Sequence, residues 1–146
     1  MSSTLPSLAE SIVEQLPDAV IFADRDGVIR LWNRGAEALF GYRVDEALGV
    51  RLDVIIPERL RAAHDAGFRR AIDAGRTRAS GARLTRSLHK DGRKLYVELS
   101  FGVVTDGEGR AVGAVAVGRD GGARHALEQA RHEPTKGATS TPWPTS

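Results

Sequence analysis

Trp32-Asn33-Arg34-Gly35-Ala36-Glu37-Ala38-Leu39-Phe40-Gly41-Tyr42 is the stretch on which the fold turns. It holds the end of a strand, the start of a helix and the stop of that helix. Asn33 carries a side-chain oxygen able to accept from the free N–H groups of a helix's first turn. Ala36, Leu39 and Phe40 give the helix an apolar face, and Gly41 supplies the residue that ends it. Working back, 28–32 reads as a strand, 24–27 as turn chemistry and 19–23 as a second strand, making a hairpin around Asp26-Gly27. Residues 6–16 read as a helix: Leu8, Ile12 and either Val13 or Leu16 recur at helical spacing, with Ser7 or Ser11 as caps. Pro17-Asp18 ends it.

Working forward, 44–48 is another helical turn ended by Gly49, and 57–74 is the longest helix, with Pro57 in its first turn and Gly75 just past its end. Strands are predicted over 79–89, 93–104 and 111–118, the last two joined by Asp106-Gly107-Glu108-Gly109, with a short helix over 123–131. Two strands, a run of helices, then three strands point to an α+β fold: a five-stranded antiparallel sheet with short helices and one longer helix packed on one face. Four segments follow: an N-terminal helix or cap over 1–16, the domain over 17–120, a short helix over 121–132 and a tail over 133–146. The tail's Pro, Thr, Ser, Gly and Lys predict disorder.

Composition bounds the function. The 146 residues suit one domain, and 41% hydrophobic with 27% charged residues is ordinary for a globular chain. The net charge is +2 and the arginines are scattered among carboxylates, which gives no support to nucleic-acid binding. No apolar run approaches the roughly 20 residues of a membrane helix, and Met1–Thr4 has no apolar signal-peptide core. The absence of cysteine removes disulfides, thiolate metal sites, cysteine nucleophiles and cysteinyl-flavin chemistry, and a reducing cytoplasm is the expected compartment. No nucleophile–base set, paired carboxylates or phosphate-cradling loop appears, so an enzyme is not expected.

With these elements in this order, the chain resembles the PAS family of sensory domains. The resemblance is carried by Leu16-Pro17-Asp18-Ala19-Val20, Asp26-Gly27-Val28-Ile29, the Trp32–Tyr42 stretch, Glu46-Ala47-Leu48-Gly49, His89-Lys90-Asp91-Gly92 and Arg119-Asp120. It implies the PAS fold and a sensory role, but no ligand. A narrower resemblance, through Ile56-Pro57-Glu58-Arg59, His64-Asp65 and Arg70, is to the haem-binding PAS domain of rhizobial oxygen-sensing histidine kinases. It implies haem b with His64 as the iron ligand, Arg70 beside a propionate, Arg83 donating to bound oxygen, and Leu99 and Phe101 lining the gas pocket. The family's threonine after Arg119-Asp120 is replaced by Gly121-Gly122, and Thr77, Arg78 or Ala79 stands where those sensors carry an apolar pocket residue.

The residues themselves allow two readings at His64. It lies on the stripe Leu60, His64, Gly67, Phe68, Ala71, off the charged face of Arg61, Asp65 and Arg69. A neutral imidazole there suits a metal ion, and Gly67 leaves room for a flat ring; the plain alternative is a half-buried histidine bonded to backbone. For Arg83, hairpin register decides. A two-residue Asp91-Gly92 turn pairs Leu84 with Leu99 and sends Arg83 to the other face. A three-residue Lys90-Asp91-Gly92 loop with Gly92 left-handed pairs Arg83 with Leu99 inside, and this is the register expected, with the N-terminal helix covering Leu84 and Leu88. His89, His125 and His132 read as solvated. The functional expectation is a stand-alone sensor of a diatomic gas such as oxygen; the alternative is a cofactor-free module that binds a protein partner or a second copy through its sheet or N-terminal helix.

Overall fold

The chain's first and last strands lie side by side, and that pairing organises the rest. The computed structural model describes residues 5–76 and 81–131. In it β1 (Ala19–Asp24), β2 (Ile29–Trp32), β3 (Arg83–Leu88), β4 (Lys94–Thr105) and β5 (Ala111–Asp120) form one sheet in the order β2-β1-β5-β4-β3. Every neighbouring pair is antiparallel. The helices are α1 (Leu8–Gln15), α2 (Arg34–Phe40), α3 (Val44–Ala47), α4 (Arg61–Ala74) and α5 (Gly122–Arg131), with 3-10 turns at Leu52–Ile55 and Glu58–Leu60. The α+β architecture is the one the sequence predicts. The helix expected from Pro57 opens instead as a 3-10 turn, and α-helix proper starts at Arg61. The first residues expected in the third strand and the tail over 133–146 lie outside the described residues.

The junction between β2 and α2 rests on Asn33, 1% exposed. Its Oδ1 accepts from the N–H of Val20 at 2.8 Å and from Ala36 at 2.9 Å, so one oxygen caps α2 and satisfies β1. Its Nδ2 donates to the carbonyls of Val13 at 2.7 Å and Asp18 at 3.0 Å, tying α1 to the same point. Gly35 allows this crowding, since a Cβ there would stand 2.2 Å from the Asp18 carbonyl oxygen. Trp32 closes the junction, its Nε1 donating to the Tyr42 carbonyl at 2.8 Å and its ring meeting Phe40 at 5.6 Å.

The β3–β4 turn takes the expected form. The His89 N–H donates to the Arg93 carbonyl, the Gly92 N–H to the His89 carbonyl, and Gly92 has φ +90, leaving Lys90-Asp91-Gly92 as the loop. Arg83 therefore pairs with Leu99. Across the sheet, Ala19, Gly118, Leu99 and Arg83 form one row, and Ile21, Ala116 and Phe101 the next. The small side chains on β1 and β5 let the helices approach; the core includes Ile29, Phe40, Leu60, Phe68, Ile72 and Val97.

One expectation fails at the opposite face. The segment over Leu84 is Gly121 and α5, not α1: a Cβ on Gly121 would meet the Leu84 Cδ1 at 2.6 Å, and the Gly121 N–H donates to the Tyr96 carbonyl at 2.7 Å. The His125 ring stacks on Tyr96 at 3.6 Å, and Arg124 pairs with Glu98 at 3.0 Å. His125 is thus a packed docking residue rather than a solvated one. His89 is also packed, lying so close to Gly41 that a Cβ there would overlap its ring.

Two stability predictions follow from these burials. Asn33→Ala strips the α2 cap and leaves the buried Val20 N–H without its acceptor, at a cost of about 3 kcal/mol in urea unfolding; Asn33→Asp, which turns a donor toward two carbonyls into an acceptor, also destabilises. His64 is 2% exposed, and burial, opposed by Asp65 and Asp53, pushes its pKa from 6.5 down to about 4. The unfolded chain thus takes up a proton that the folded chain refuses. Stability is full above pH 6.5 and falls as pH drops toward 4, by roughly 3 kcal/mol in chelator-treated protein. His64→Leu flattens the profile in that window; an unchanged slope in the variant assigns the loss to other groups.

Candidate functional site

His64 lies in the first turn of α4, the helix that packs against β5, and its side chain is buried. Phe68, one turn on, stacks with it at a centroid distance of 6.4 Å, and Ile72 continues the buried stripe. Both ring nitrogens are closed off from solvent. In these surroundings the imidazole is neutral near pH 7, the form that ligates metals.

The other expected residues gather only in part. Leu99 and Phe101 lie half-buried on the inner face and pack against the core. Arg83 shares their face by register but is exposed, because it opens β3 where the strand leaves the helices; Thr85 and Ser87, further along that row, are buried. Gly67 is half-buried beside the stripe. Arg70 is exposed, since six residues of helix carry it about 120° round from His64. Thr77, Arg78 and Ala79 lie outside the described residues.

The arrangement is a test of haem. An axial histidine needs an open approach for a porphyrin, and here the ring is sealed against Phe68 and the core. As packed, the site does not fit haem b: admitting it requires α4 to part from the sheet, and Arg70 and Arg83 are both exposed.

The structure brings two carboxylates to His64, one of which, Asp53, periodicity hid. Asp65 Oδ1 lies 3.9 Å from His64 Nδ1, although Asp65 belongs to the charged side of α4. Asp53, from the 3-10 turn at Leu52–Ile55, joins them, and one ligand atom from each of the three residues falls within 4.8 Å of the others. Arg51 spans both carboxylates, at 3.6 Å from Asp53 and 3.6 Å from Asp65, while its Nη1 donates to the Asp26 carbonyl at 2.7 Å. Asp53 is not visible from a helical wheel, because its contact joins a turn to a helix residue eleven positions on.

Comparison with known proteins bears on the whole frame. A PAS domain from Colwellia psychrerythraea is similar at 25% identity and TM-score 0.66, over 75% of this chain and 91% of that one. An RNA-binding light-oxygen-voltage receptor is similar at 22% identity and TM-score 0.66; the match covers 90% of this chain and 40% of the receptor. The Vibrio cholerae VqmA dimer, a LuxR-type receptor, is similar at 23% identity and TM-score 0.61, over 79% of this chain and 52% of that one. No curated protein sequence matches. A family model described as the PAS fold matches residues 13–126, the span that holds the sheet, the Asn33 junction and α4, and the chain therefore belongs to the PAS family of sensory domains.

Proposed function

We propose that this PAS domain works as a signalling interaction module that pairs with a second copy of itself through α1. The observation that carries the reading is an exposed apolar row: Leu5 is 85% exposed, Leu8 77%, Ile12 52% and Leu16 37%. Leu8 and Ile12 lie one turn apart on the eight-residue α1, Leu16 is its C-cap residue and Leu5 precedes its N-cap Ser7. Helices under about 12–15 residues are marginal alone in water. α1 is tied down by its Ser7–Glu10 capping box and by the bonds from Asn33, while its apolar side faces outward. A self-complementary apolar row of this kind suits a two-fold dimer, where each copy covers the other. The resemblance to the VqmA dimer supports pairing as a use of the fold.

Gas sensing through haem b at His64 is the second reading, favoured by the neutral, buried imidazole and by Leu99 and Phe101 on the inner face. It asks for an opening between α4 and the sheet that the dimer reading does not need.

Sedimentation equilibrium of the full chain is expected to give a dimer at micromolar concentration, and Leu8→Glu with Ile12→Glu a folded monomer. A wild type that stays monomeric overturns the pairing reading. An absorption spectrum of protein expressed with haem supplied tests the second reading separately. Absence of a Soret band is expected; a band that shifts with carbon monoxide and disappears in His64→Ala would establish haem ligation instead.

A further inference from the structure

We propose that Asp53, His64 and Asp65 form a binding site for one first-row divalent cation of the zinc class. The three residues come from two elements and each offers a ligand atom within 4.8 Å of the other two. A tetrahedral zinc ion at about 2.0–2.2 Å from each donor sets those donors roughly 3.4 Å apart. The Asp53 and Asp65 side chains are 30% and 43% exposed and so have room to turn toward a shared ion.

The chemistry of the donors selects the ion. One imidazole nitrogen and two carboxylate oxygens suit zinc, cobalt or nickel, whereas calcium and magnesium take oxygen donors throughout. Two carboxylates and a neutral imidazole balance the ion's double charge. Three protein ligands leave a fourth position for water or an incoming ligand. His64 is buried while both carboxylates are part-exposed, so an ion meets the carboxylates first and passes between them to a ring nitrogen, with no need of a slot of porphyrin size.

Arg51 is the competing cation. Its guanidinium lies 3.6 Å from one oxygen of each carboxylate, longer than a direct hydrogen bond, and its firmest contact is with the Asp26 carbonyl at 2.7 Å. A divalent ion displaces it from both carboxylates. Arg51 also holds the β1–β2 turn through Asp26, so occupancy of the site is transmitted to that hairpin.

The test uses the full chain, stripped with chelator and titrated with Co2+ followed by visible absorption and with Zn2+ followed by calorimetry. One ion per chain is expected, with a cobalt band of four-coordinate intensity. Asp53→Asn and Asp65→Asn, both outside the apolar core, weaken binding by at least about tenfold, and Arg51→Gln tightens it severalfold. His89→Gln and His125→Gln leave it unchanged. Equal binding by wild type and both Asp variants, or loss of binding in the His89 or His125 variant, overturns the assignment. So does weaker binding by Arg51→Gln, which would make the cluster an ion-pair network and nothing more.

Discussion

A single carboxamide holds the fold's entrance together. Asn33 is buried, and burying an amide without partners costs several kcal/mol. Here both ends are satisfied by backbone groups from three elements: Val20 in β1, Ala36 in α2, and the carbonyls of Val13 and Asp18 behind α1. Any other side chain leaves one of these groups dry. Gly35 follows from the same geometry, because α2 must begin in contact with the Asp18 carbonyl. Once β1 and α2 are fixed against each other, β5 adds to the free edge of β1, and the hairpins carry the sheet outward to β3.

The sheet's two faces then do different work. On the inner face, alanines and glycine on β1 and β5 give way to Leu99, Phe101 and Val103 on β4, so the helices sit closest over the sheet's centre and loosen toward β3. On the outer face, Tyr96, Glu98 and Leu84 receive α5 through a ring stack, an ion pair and a backbone hydrogen bond. These contacts are individually modest, since the ion pair is partly exposed. A helix docked by few contacts is the element that detaches first when the sheet changes shape.

Much of this was legible in the sequence. Cap, apolar face and stop in 33–41 are local features, and the Gly92 position set the β3–β4 register that aligns Arg83 with Leu99. Burial was less legible than register. Alternation assigns Arg83 a face, but says nothing of where along the strand the helices end, and Arg83 lies beyond that point. The docking of α5 in place of α1 was hidden for a related reason. Leu8 and Ile12 have the spacing of any packed helix, and the pattern is the same whether the surface they meet belongs to their own sheet or to another molecule. Asp53 was hidden because its meeting with His64 and Asp65 depends on how a 3-10 turn lies against α4, a tertiary fact without a period.

His64 draws these strands of argument together. A core position could have been filled by leucine at no electrostatic cost, whereas an imidazole there resists protonation throughout the range in which an exposed one titrates. Among the described residues, Asp53 and Asp65 stand beside it at the edge, and Phe68 and Ile72 are buried on the same helix. The two carboxylates give a cation a way to meet the ring. Arg51 supports the arrangement without an ion, since it offsets one of the two negative charges and ties the carboxylates to the β1–β2 turn. A site stable in both conditions, with one cation exchanging for another, is what a sensory domain needs from its ligand pocket: two states separated by a small free-energy difference, with the bound ion favouring one of them.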